Sequence, residues 1–150
     1  MKRVNKILCI SFLLTGCSIQ PSSIDALKEY SNKFGKCQSY LHENKNIPPE
    51  NKWFESLSKE EQLNLLSYLF QFNNESCMSN ETVLLQNAFS ADGNEELLEL
   101  FVSDSSTMIS IAESKIEHLN KDKVKELRKS YNLPFDLVAV AKKLDLLKFI

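Results

Sequence analysis

Six side chains in this sequence have the chemistry to hold a metal, attack a substrate or form a crosslink: Cys9, Cys17, Cys37, Cys77, His42 and His118. A zinc site made from Cys37, Cys77, His42 and His118 would need ligands in closely spaced pairs, and these spacings match no such pattern. No serine stands in a Gly-x-Ser-x-Gly turn, and no Gly-rich loop could cradle a phosphate. Carboxylates are numerous, but they gather in helix starts such as Glu60-Glu61 and Glu95-Glu96. There a negative charge favours the positive end of the helix dipole. The residues therefore predict no catalysis and no metal or other cofactor. What remains for the cysteines is attachment and crosslinking, and the surrounding segments decide which.

Lys2, Arg3 and Lys6 form a positive start, Ile7 to Leu14 an apolar run of eight, and Thr15 and Gly16 a pair of small residues. This is the layout of an export signal. Eight apolar residues are too few to span a bilayer, which takes about 20 in a helix. Leu14-Thr15-Gly16-Cys17 resembles the lipobox of bacterial lipoproteins. The resemblance implies cleavage before Cys17, a diacylglycerol on its thiol and an acylated new N-terminus, and two or more chains make a stable anchor. Ser18, rather than Asp, implies sorting to the outer membrane with the domain facing the periplasm. The expected organisation is a signal peptide over 1–16, a lipidated tether over 17–23 and one helical domain over 24–150.

Removing 16 of the 150 residues leaves 134, enough for one domain with a single core. Three glycines and four prolines are few for a turn-rich β architecture, so the composition points to helices. Loss of Lys2, Arg3 and Lys6 lowers the basic count from 18 to 15 against 20 acidic residues. Residues 50–113 hold only Lys52 and Lys59 against twelve acidic residues, and residues 115–150 hold nine basic against five acidic. That linear pattern suggests an electrically two-ended molecule whose acidic part could steer a basic partner. Cys9 leaves with the signal. Cys37 and Cys77 then remain as an even pair in an oxidising compartment, which predicts one disulfide.

Leu27, Tyr30, Phe34, Cys37 and Leu41 recur every three or four residues, which predicts a helix from Ser23 to about Asn44 with Cys37 on its apolar stripe. Pro48 and Pro49 predict a loop. Ser58 and Glu61 form a capping box for a helix carrying Leu63, Leu66, Leu69, Phe70 and Phe72. Cys77 shares its face with Leu66, Phe70 and Asn73. Four shorter helices are expected afterwards. One covers 80–90 and stops near Asp92-Gly93; one is capped by Asn94; one is capped by Ser105 or Ser106 and runs through Ile116 and Leu119; one is capped by Asn120. A last helix is expected from Pro134 through Leu147. The fold class is all-α: an irregular bundle of five to seven helices.

Residues 124–146 have the outline of a helix-turn-helix, but the export signal and the acidic remainder argue against nucleic acid as a partner. Trp53 and Phe54 could anchor a protein partner, although Phe54 is better explained as packing at the start of the following helix. Glu95, Glu96 and Glu99 are candidates for an acidic contact. The expected function is protein binding at the outer membrane, with an envelope protein or a toxin as partner. In size, anchor and helicity the chain is similar to the helical pilotins of type II secretion, which implies an assembly or pilot factor. The alternative is an immunity protein against a toxin acting in the periplasm. Neither reading specifies an oligomeric state.

No other group can form the thioether, so Cys17→Ser should abolish incorporation of a clickable fatty acid in cells. Equal labelling of the variant would end the lipoprotein reading.

Overall fold

A computed structural model of the chain describes residues 22–94, 96, 97 and 105–149. The signal segment, Cys17 and most of the tether lie outside them, as do Glu95 and Glu99. Six α-helices occur among the described residues: α1 (Ser23–Glu43), α2 (Lys52–Ser56), α3 (Lys59–Ala91), α4 (Ser105–Ser114), α5 (Lys121–Ser130) and α6 (Leu137–Lys143). A 3-10 turn follows at Leu147–Phe149. The fold is all-α, as the composition predicts.

Helix α3 organises the rest. The Ser58 hydroxyl accepts from the Glu61 amide, and the Glu61 carboxylate accepts from the Ser58 amide, so the expected capping box starts it. Hydrogen bonding from the Ser58 side chain, then from the Ser58 amide and His118, lowers the pKa of the Glu61 carboxyl. The helix then continues for 33 residues, about 50 Å at 1.5 Å per residue. A separate helix over 80–90 is therefore not formed. Ser79, which could have capped a new helix, turns its hydroxyl back onto the Ser76 carbonyl at 3.1 Å and stays inside the old one. The stop at Asp92-Gly93 is as expected. Gly93 takes φ +70°, and Asn94 N–H reaches Phe89 O at 2.9 Å, closing a Schellman turn.

The two halves of α3 do different work. In the first half Leu63, Leu65, Leu66, Tyr68 and Leu69 are all buried, so neighbours cover the helix on nearly every side. They form a head core with Phe54, Ala112, Ile116, Leu127, Phe135, Val140 and Leu146. In the second half burial narrows to a stripe of Leu85, Ala88 and Phe89 that meets Ala26 of α1, with Leu27 and Tyr30 at its edge. Helix α1 runs antiparallel along this stripe as the other arm of a stalk.

Three fastenings hold α1 to α3. At one end, the Ser23 amide (3.1 Å) and the Ser23 hydroxyl both donate to the Asp92 carboxylate. Asp92 thus terminates α3 and also satisfies the free N–H end of α1, and these bonds keep its carboxyl below the ordinary carboxylate range. Ser22 caps α1 and Ser23 lies in its first turn, so residues 22 and 23 belong to the helix start. Midway, Lys33 lies 3.9 Å from Glu81. Further along, Cys37 and Cys77 form the expected disulfide, with Cα atoms 6.1 Å apart.

The C-terminal part departs from expectation. Asn120 caps α5 as predicted, but Asp136 rather than Pro134 opens α6. Pro134 and Phe135 are buried in an extended stretch whose carbonyls are used by Asn44 and Asn73. Helix α6 ends at Lys143, not Leu147. Asp145 adopts φ 56°, and Leu146 N–H turns back to Ala141 O at 2.8 Å. Helix α4 ends at Ser114, and Ile116 and Leu119 continue in tight turns. Its start at Ser105 leaves the capping position outside the described residues.

A crosslink closing a 40-residue loop contributes about 4 kcal/mol on the chain-entropy argument. Replacing Cys37 and Cys77 together by alanine should lose much of that. Because the disulfide ties the stalk and not the head, amide exchange should accelerate in residues 23–43 well before residues 121–146. Uniform acceleration throughout the chain would contradict this division.

Candidate functional site

Where the stalk joins the head, three segments distant in sequence are bound together through their backbones. Helix α1 ends with Asn44 N–H on Tyr40 O at 2.9 Å, and the loop after it runs past buried Pro48. Asp136 N–H donates to Asn44 O at 2.9 Å, and Asn44 Nδ2 donates to Pro134 O at 2.9 Å. Lys143 Nζ donates to Lys45 O at 2.7 Å, and the Tyr131 hydroxyl donates to Asn46 O. Burial pushes that hydroxyl well above its ordinary pKa, so it remains a donor.

Asn73 of α3 lies beneath this junction, 1% exposed. Its Nδ2 donates to Tyr131 O at 2.9 Å and Leu133 O at 3.0 Å. One buried amide thus satisfies two carbonyls that the extended turn cannot pair within itself. The turn held this way projects Leu133 outward.

Leu133 forms one edge of a recess of about 550 Å³. Tyr40 from α1 and Ile47 from the loop also line it, with Pro49, Glu43 and Asn132. Tyr40, Ile47 and Leu133 are 43%, 48% and 51% exposed. Single exposed apolar side chains are ordinary on a protein surface. Three around one recess, each on a backbone fixed by hydrogen bonds, form a preorganised apolar contact of the kind that partners occupy. Glu43 is the one carboxylate in the lining, and no histidine or thiol accompanies it.

The sequence-based candidates lie elsewhere. Phe54 is 5% exposed and is a member of the head core, so it is unavailable to a partner. The cause is a helix the sequence pattern did not predict. Asn51 caps α2 by accepting from the Trp53 and Phe54 amides, both at 3.1 Å, and this turns Phe54 inward. Trp53 is half-buried against the same core. Glu96 is exposed; Glu95 and Glu99 lie outside the described residues. His42 is exposed, while His118 Nε2 lies 3.2 Å from Glu61 Oε1. Among the described residues, no three His, Cys, Asp or Glu side chains form a group able to hold a metal.

Among the described residues the carboxylates of 50–113 are not gathered in one place. Glu60, Glu61, Glu75, Glu81 and Asp92 are spread along the whole of α3. At the head Glu60 and Glu61 share a recess with Lys115 and His118.

Tyr40, Ile47 and Leu133 were missed because none carries a recognisable motif. The available signal was the presence of large apolar side chains off the helical stripes and beside prolines.

Asn73→Ala should leave the Tyr131 and Leu133 carbonyls buried without a donor and cost about 2 kcal/mol or more. Chemical denaturation would measure it, and a change below about 0.5 kcal/mol would show that the junction does not depend on this amide.

No protein-family model, no curated protein and no solved structure matches this chain.

Proposed function

We propose that the chain is a lipid-anchored, non-catalytic protein-binding module at the periplasmic face of the outer membrane. In this reading it is an assembly or pilot factor that captures an apolar segment of another envelope protein. The observation that carries it is the recess ringed by Tyr40, Ile47 and Leu133, whose backbone is fixed before any partner arrives. The anchor belongs to Cys17, and the five residues from there to Ser22 reach about 17 Å when extended. The 21 residues of α1 add about 30 Å between Ser23 and the recess. A partner could therefore be held close to the membrane yet clear of it. Among the described residues no helix is long and apolar enough to cross a membrane, and the Cys17 lipid supplies the attachment.

The acidic excess of residues 50–113 keeps the immunity reading as the alternative. The two differ in what should control association. Apolar capture is insensitive to salt, whereas steering between exposed charges is screened over about 8 Å at physiological ionic strength.

A photo-crosslinking amino acid at Leu133, in intact cells, should give one discrete adduct with an envelope protein. Tyr40→Ser with Ile47→Ser should remove that adduct while leaving the melting temperature near wild type, because both side chains are already half exposed. A crosslinker at Val83, on the stalk, should give no comparable adduct. Association with the captured protein should change less than about threefold between low and high salt. A steep salt dependence, with slowed association on Glu96→Lys, would transfer support to the toxin-neutralising reading. Equal adducts from Leu133 and Val83 would overturn both the recess and the pilot function argued from it.

A further inference from the structure

A second cleft, of about 690 Å³, lies between α4 and α5 over the first half of α3. Its two walls have opposite charge. Lys121, Lys125 and Arg128 line the α5 side, spaced four and three residues apart and so on one helix face. Glu113 and Glu117 line the other side, and the buried side chains of Ile116, Leu119 and Val124 form the floor between them. None of these five charged residues forms an ion pair among the described residues. By contrast Lys123, on the same helix, is neutralised by Glu126 at 2.9 Å.

Arg128 is the most constrained member. Its guanidinium sits 4.2 Å from the centre of the Phe72 ring, within cation–π range. Its Nη1 donates to Tyr68 Oη at 3.1 Å. Arg128 is half-buried and has no carboxylate partner, so its charge is partly desolvated and uncompensated. Only Arg3 and Arg128 are arginines among the 18 basic residues, and Arg3 belongs to the signal segment. A planar fork with spare N–H donors, held rigid and flanked by two free ammonium groups, suits an oxyanion.

The facing carboxylates narrow the choice of oxyanion. Glu113 and Glu117 would repel a dianionic phosphate, but they can accept from the amide N–H groups of a peptide. We propose that this cleft binds a polypeptide segment bearing a side-chain carboxylate. The carboxylate sits on Arg128 with Lys121 and Lys125 beside it, and the peptide amides face Glu113 and Glu117. The site is separate from the Tyr40–Ile47–Leu133 recess and does not depend on the reading of that recess or of the anchor.

The test uses the full chain in detergent solution, labelled with nitrogen-15, and follows the Arg128 Nε–H resonance and the amides of residues 113–128. The probe is acetyl-leucyl-glutamyl-leucine amide, and the glutamine analogue is its neutral control. The glutamate peptide should give a saturable shift of the Arg128 signal, and the glutamine peptide should bind at least about tenfold more weakly. R128K keeps the charge but loses the fork, and should weaken binding by about tenfold. Should R128K disturb packing on Phe72, the exposed pair Lys121→Ser with Lys125→Ser leaves the core untouched and should still weaken binding several-fold. Equal binding of the two peptides would overturn the proposal, as would a response unchanged in the lysine pair variant. Inorganic phosphate or phosphatidylglycerol vesicles that shift Arg128 more tightly than the glutamate peptide would overturn the peptide assignment.

Discussion

The continuity of α3 is the constraint on which the other elements depend. A helix of about 50 Å cannot be covered by one small set of neighbours, so the chain builds two different environments along it. The first half is apolar on nearly all sides and needs a shell of segments around it. The second half has one apolar stripe and needs only α1. The head, the stalk and their junction follow from that change of pattern within a single helix.

The joints between these parts are polar and placed where backbone groups would otherwise go unpaired. Asp92 ends α3 and receives the first amide and the hydroxyl of Ser23, fixing the register of the stalk. Asn73 holds the carbonyls of Tyr131 and Leu133, fixing the path of the chain after α5. Asn44 joins the end of α1 to Pro134 and Asp136 through both its side chain and its backbone. Each bond spans at least 58 residues of sequence. Apolar packing supplies most of the burial, but it is non-directional; these directional bonds decide which arrangement of the packed segments is kept.

The surface follows from the same joints. Fixing the loop after α1 against the turn after α5 leaves Tyr40, Ile47 and Leu133 around one recess. Packing α4 against α5 across α3 sets Glu113 and Glu117 opposite Lys121, Lys125 and Arg128. Among the described residues, α3 carries carboxylates from its first turn to its C-cap, so charges segregated in sequence are mixed along the helix. The head thus offers an apolar recess and a cleft lined by charges of both signs.

What the sequence by itself determined is mostly local. The capping box at Ser58 and Glu61, the start of α1, the cap at Asn120 and the stop at Gly93 are each specified by a few adjacent residues whose own hydrogen bonds decide the matter. Helical spacing put Cys37 on an apolar face, and Cys77 is the one other cysteine after Cys17, which left one pairing for it. Tertiary structure decided the rest. Ser79 and Asn80 look like a helix start, yet the helix runs through them, because a continuous α3 keeps both of its halves packed. Pro134 looks like the first residue of a helix, yet it stays extended, because Asn73 and Asn44 hold the carbonyls of Leu133 and Pro134. Phe54 is expected to pack rather than to anchor a partner, but the short helix α2 that turns it into the core is not visible in the sequence pattern. The residues of both candidate sites are likewise unremarkable in sequence, since each site exists only where elements far apart in the chain are brought together.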